Sequence, residues 1–152
     1  MNDPFFRRLH SPALLAAAKK LPATGTLAKT HNGLIYLNIN DDFVHTLFPL
    51  ITKTEEPISK PDYFGKGLIG AHISVIYPDE LKLHHLVELN HTFSFQVCEL
   101  FKAPLGTKNY YALRVNSKPL TTFRNKYDLP NWLLFKAKWV PFHITLAVSP
   151  LS

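Results

Sequence analysis

The chain holds a single cysteine among 152 residues, so it can form no internal disulfide. Cys98 sits in the strand-like run Phe93-Ser-Phe-Gln-Val-Cys-Glu-Leu, which reads as a buried, inert thiol in a protein of a reducing compartment. No apolar stretch approaches the roughly 20 residues that span a bilayer, so a soluble protein with no membrane partner is expected. Charged residues are sparse at 18%, and none from Pro4 to Asn40 is acidic. Residues 1–30 carry a net +4 of the total +6, leaving only +2 for the rest. A body this mildly basic tolerates a phosphate ligand, but it is too weakly charged for a long nucleic-acid track. The run Gly65-Lys-Gly-Leu-Ile-Gly70 lacks the Gly-Lys-Ser/Thr ending of a P-loop and reads as a turn, with Lys66 a possible groove-lining cation. His84, His85 and His91 do not make a zinc pattern: adjacent residues point to different sides of a helix or strand, and no cysteine or carboxylate set accompanies them.

Two tripeptides carry the chemistry: His72-Ile73-Ser74 and His143-Ile144-Thr145, 71 residues apart. With 8 histidines and 18 serines or threonines, roughly one His-x-Ser/Thr arises by chance. Context sharpens the signal, because Ala71 to Tyr77 and Val140 to Val148 are β-branched and aromatic enough to form strands. Residues i and i+2 of a strand share a face. His72 and Ser74 then point one way while Ile73 and Val75 point into a core, and His143 and Thr145 stand likewise against Ile144 and Leu146. A strand histidine on its own is more often a hydrogen-bonded structural residue, and a neighbouring hydroxyl usually satisfies backbone. The matched pair favours catalysis. Reaction at phosphorus needs a base for the nucleophile and an acid for the leaving oxygen, and imidazoles, with an ordinary pKa near 6.5, suit both.

The repeated His-x-Ser/Thr strands resemble the two-histidine phosphoesterase superfamily, in particular its LigT-like RNA 2′,3′-cyclic phosphodiesterases, over residues 31–148. Leu34 to Ile39 looks like the opening strand of that family and Asp41 to Leu50 like its first helix. The resemblance implies an α+β fold with two lobes, antiparallel sheets and flanking helices around a central groove, to which each lobe contributes one motif. It assigns His72 and His143 as the catalytic pair and Ser74 and Thr145 as ligands of the phosphate oxygens that gain charge in the transition state. The sequence departs from the pattern in three respects: Ser74 replaces the commoner threonine, the segment between motifs is short, and no basic residue closely follows the second motif.

Helical spacing of Phe43, Val44, Leu47, Phe48 and Ile51 supports that first helix, with Pro49 near its end. Further helices are expected from Ser11 as N-cap with Pro12 at N1, over Asp79 to Leu89, and over Leu120 to Tyr127, the last stopped by Pro130. Thr92 to Leu100 and Tyr110 to Val115 should form an antiparallel pair across a Pro-Leu-Gly-Thr loop. Residues 1–30 read as a basic extension, a packed helix followed by a linker at 22–26, and residues 31–152 as one two-lobed domain. Tyr36, Tyr77, Trp139 and Phe142 are candidate aromatic contacts to a base, Tyr77 and Phe142 foremost.

The sequence therefore predicts a metal-independent phosphoesterase without a cofactor, acting on a 2′,3′-cyclic phosphate or related 2′-linked phosphodiester at an RNA or nucleotide end. A non-catalytic module holding such an end in the same groove is the alternative. A monomer is expected, in the cytoplasm or, through the basic N-terminal segment, in an organelle.

Overall fold

In a computed structural model of the chain, residues 6–51, 57–83, 85–86 and 88–151 are described. Strands β1 (Arg7–Leu9), β2 (Thr24–Lys29), β3 (Ile35–Asn38), β4 (His72–Ile76), β5 (Thr92–Ser94), β6 (Gln96–Leu105) and β7 (Lys108–Asn116) join a long final strand in one antiparallel sheet. Between β7 and that last strand, β10 (His143–Pro150), lies a small hairpin of β8 (Leu133–Phe135) and β9 (Lys138–Val140). Helices α1 (Pro12–Ala18), α2 (Asp42–His45) and α3 (Lys118–Lys126) pack on β6, on β10 and on β4 with β5, respectively. The fold is α+β, as the sequence predicts.

The sheet order is β1-β6-β7-β10-β4-β3-β2-β5, which puts the two motif strands side by side at its centre. The expected lobes are thus two four-stranded halves of one continuous sheet, joined at the β4–β10 seam. β5 lies at one edge, yet the single residue Phe95 leads from it into β6, next to the other edge. The sheet must therefore curl until its ends approach one another. Along β4 the side chains alternate between half-buried His72 and Ser74 and buried Ile73 and Val75. Ile144 and Leu146 join the same core from β10.

Local signals explain most elements. Pro12 stands in the first turn of α1, and Leu14 and Ala18 turn inward. The Ser117 hydroxyl caps α3 by accepting the Leu120 amide at 3.1 Å, so that helix begins two residues earlier than its apolar spacing suggests. It ends at Lys126, with Asp128 left-handed at φ 61°, before Pro130 is reached. Of the strand expected at Thr92 to Leu100, Thr92–Ser94 is β5, paired with β2, and only the part from Gln96 belongs to β6, which with β7 runs past the expected limits to a turn of Gly106 and Thr107.

Three expectations change. The stretch at 22–26 is not a linker, because Thr24–Lys29 is β2, paired with β3 on one side and β5 on the other. Gly25 reads as a linker residue, but it serves close approach: a Cβ there would lie 2.5 Å from the Asn38 carbonyl oxygen. The helix expected from Asp41 to Leu50 divides into α2 and a 3-10 turn at Phe48–Leu50, as Pro49 cannot donate a helical hydrogen bond. Among the described residues from 79 to 89 there is no helix, only turns around Pro78–Glu80 and Glu88–Asn90. There the Glu80 carboxylate accepts the Tyr77 amide instead, at 3.1 Å.

Candidate active site

The antiparallel register that sets Ile73 against Ile144 brings the two motifs together. Continued one residue either way, it puts His72 across from Thr145 and Ser74 across from His143. The two histidines then occupy a diagonal, where neighbouring residues lie about 7–8 Å apart and long side chains meet. All four side chains line one cavity of about 190 Å³.

Each ring is held the same way. His72 Nδ1 lies 2.9 Å from the Gly70 carbonyl oxygen and His143 Nδ1 2.8 Å from that of Pro141, in both cases two residues upstream. A carbonyl can only accept, so Nδ1 carries the hydrogen and Nε2 is left for the cavity. Neutral, that Nε2 accepts a proton; protonated, it donates one. Burial lowers the pKa of both rings from 6.5, against the carbonyl hydrogen bonds, which raise it. Charge on His72 depresses His143 further.

The first ring depends on a backbone corner. Gly70 is left-handed at φ 69°, and a Cβ on it would stand 2.5 Å from Asp41 Oδ1. That same oxygen accepts the Ala71 amide at 2.9 Å, while the Gly70 amide donates to the Tyr63 carbonyl at 2.9 Å. Tyr63 thus arrives at the site, its ring edge-on to His72 with centroids 4.8 Å apart. Tyr36 packs on His72 as well, at 5.8 Å.

Two phenols stand against the two motif hydroxyls. The Tyr63 phenol interacts with the Thr145 hydroxyl and that of Tyr77 with Ser74. Burial raises both phenols, Tyr63 to about 12, so both stay protonated at neutral pH. Phe135 stacks on Tyr77 at 4.8 Å and 22°, and Tyr110 meets Phe135 edge-on at 6.3 Å. These three rings form one wall of the cavity.

That wall is anchored from behind by a buried ion pair. Arg124 Nη2 lies 2.7 Å from Glu80 Oε2, with side chains 0% and 3% exposed. The guanidinium also donates to the Val75, Pro130 and Trp132 carbonyls, and the carboxylate accepts the Tyr77 and Leu134 amides. The end of β4, helix α3 and hairpin β8–β9 are tied at one point.

Of the residues singled out from the sequence, His72, Ser74, His143, Thr145 and Tyr77 meet at the cavity. Phe142 does not: one residue before His143 it faces the other way, 4% exposed in the core. Lys66 is exposed in its loop and does not line the cavity. Trp139 is 52% exposed on β9. Sequence reasoning missed Tyr63, Tyr110, Phe135 and the Glu80–Arg124 pair, none of which belongs to a motif. Among the described residues no cluster of three or more His, Cys, Asp or Glu is placed to hold a metal ion; His84 lies outside them.

No curated protein and no solved structure shows a significant match to the chain. A family does, over residues 35–151, from β3 to the end of β10 and across both motifs: the Swiss Army Knife 2H phosphoesterase domain. With paired His-x-Ser/Thr strands lining one cavity inside that match, the chain belongs to the 2H phosphoesterases.

Proposed function

We propose that the protein hydrolyses a 2′,3′-cyclic phosphate, or a related 2′-linked phosphodiester, at an RNA or nucleotide end, with its two histidines as general acid and base. The observation that carries the reading is the shared tautomer: both rings give Nδ1–H to a carbonyl and keep Nε2 for the cavity. Hydrolysis then needs one Nε2 to take a proton from water as it attacks phosphorus. The other Nε2 gives a proton to the ribose oxygen as the P–O bond breaks. Both proton transfers are covered by imidazole, and the mechanism asks nothing of a metal ion.

Charge on either ring disfavours charge on the other, so a proton on one keeps its partner neutral. We assign His72 as the acid and His143 as the base. A bound phosphate anion favours the imidazolium, so substrate itself helps to load the acid. Ser74 and Thr145 hold non-bridging oxygens, where charge accumulates.

The test is turnover of nucleoside 2′,3′-cyclic phosphates in the presence of EDTA, with the product resolved as 2′- or 3′-phosphate. Hydrolysis lost in both His72→Ala and His143→Ala is the expected result. Tight binding of the cyclic phosphate without turnover would instead indicate a binding module, and strict dependence on an added divalent ion a metallo-phosphodiesterase.

A further inference from the structure

Hairpin β8–β9 turns on two residues, Lys136 and Ala137, between paired Phe135 and Lys138. Both are left-handed, at φ 49° and 63°. A two-residue turn of this kind favours Asn-Gly, so turn chemistry alone does not explain a lysine at its first position. Its placement does. The ammonium lies 5.2 Å from the Phe135 ring centre and 5.5 Å from that of Tyr110, and it donates to the Tyr110 hydroxyl at 3.2 Å. Phe135 and Tyr110 are walls of the catalytic cavity, so this cation stands one ring away from the reacting phosphate's site. The Gly106 turn makes room for it, since a Cβ there would come within 3.2 Å of Nζ. Among the described residues no carboxylate pairs with Lys136, and its side chain is exposed. Its hydrogen-bond partner and both rings are uncharged, so the positive charge is uncompensated at the cavity mouth.

Size adds a second argument. A cavity of about 190 Å³ takes the phosphate and part of a ribose but not a whole nucleotide with its neighbour. The rest of the substrate then extends past the cavity, along the side where the half-buried rings of Phe135 and Tyr110 form an aromatic shelf beside Lys136.

We propose that Lys136 and this shelf form a second subsite, in which the terminal base lies on the rings and the ammonium binds the phosphodiester that links the terminal nucleotide to the one before it. The substrate is then the end of an RNA chain rather than a free nucleotide. This rests on the reading of the site given above, and it makes good the absence of a basic residue after the second motif with one from a different element.

The experiment measures equilibrium binding by calorimetry, which needs no turnover. The ligands are a nucleoside 3′-phosphate and the dinucleotide 3′-phosphate that ends in the same nucleotide. The wild-type protein should bind the dinucleotide about tenfold more tightly, the order of one charge-assisted contact. Lys136→Asn suits the left-handed turn yet removes the charge, so the hairpin stays folded; it should bind the two ligands within about twofold. Lys136→Arg should keep the preference. Equal binding of both ligands by the wild type, or an undiminished preference in Lys136→Asn, would overturn the proposal. Hydrolysis of cyclic phosphates, measured separately, tests the functional reading: a protein that hydrolyses them but shows no dinucleotide preference keeps that reading and loses the subsite.

Discussion

Asp41 and Ala71 are joined by a hydrogen bond of 2.9 Å from the Ala71 amide to Oδ1, and through it the start of α2 fixes the corner from which His72 hangs. The next carbonyl upstream, that of Gly70, is the acceptor for His72 Nδ1. A carboxylate distant in sequence thus holds the corner whose carbonyl fixes the tautomer of the His72 ring.

Asp41→Ala should release that corner and lower kcat about tenfold with the protein still folded, while Asp41→Asn, which keeps an oxygen acceptor, should restore most of the loss. Gly70→Ala should do worse, because a left-handed φ and a contact of 2.5 Å both oppose the new methyl. A stability loss of about 1–3 kcal/mol is expected from thermal melts. Unchanged kcat in Asp41→Ala would show that Gly70 holds its place without it.

The acid and base assignments separate on leaving-group chemistry. A ribose oxygen needs a proton to leave, whereas p-nitrophenolate does not. His72→Ala should lose about a thousandfold or more on a nucleoside 2′,3′-cyclic phosphate and far less on a p-nitrophenyl phosphodiester. His143→Ala should lose heavily on both. The reverse pattern would exchange the two roles.

Both histidine pKa values are lowered by burial, and catalysis requires one ring charged and one neutral. The free enzyme therefore reaches the productive state below pH 6.5, and kcat/KM should peak there. Bound anion raises the acid's pKa, so kcat should peak at higher pH. Stability follows the same groups. The folded state prefers neutral rings, so the unfolded chain binds more protons between the folded values and 6.5. The contribution is complete above about pH 6.5 and fades as pH falls through the folded values. Melting temperatures of wild type and His143→Gln across pH 4–8 should converge at the acid end.

Ser74→Ala or Thr145→Ala should each reduce kcat/KM by about 1.5–3 kcal/mol, roughly 10- to 150-fold, with Ser74→Thr retaining activity. Tyr63→Phe removes only the phenol that meets Thr145 and should cost less than Thr145→Ala. Wild-type rates in both alanine variants would mean that these hydroxyls do not bind phosphate.

Glu80→Gln leaves the fully buried Arg124 charge without its counterion. A loss of about 3 kcal/mol or more is expected, a fall in melting temperature of about 10 °C for a chain of this size. Binding at the aromatic wall should weaken in the folded remainder, since Tyr77 and Leu134 are both held by that carboxylate. A melting temperature within a few degrees of wild type would show that the pair is not an anchor.

The sequence by itself determined what is local. Alternation of period two placed His72 with Ser74, and His143 with Thr145, on one face of each strand. Capping and proline signals located α1 and α3 within a few residues. The same alternation, followed one residue further, already turns Phe142 away from the site. Tertiary structure decided what depends on pairing between distant segments. The β4–β10 register, bonded at Ile73 and Ile144, turned two tripeptides into one cavity; no local pattern specifies it. Tyr63 and Phe135 reach the site from a loop and from the strand end before a hairpin turn, where side-chain direction follows long-range contacts rather than a repeat. Residues 22–26 read as a linker for a related reason: the short strand around Gly25 draws its stability from β3 and β5 on either side, and that support lies outside its own residues.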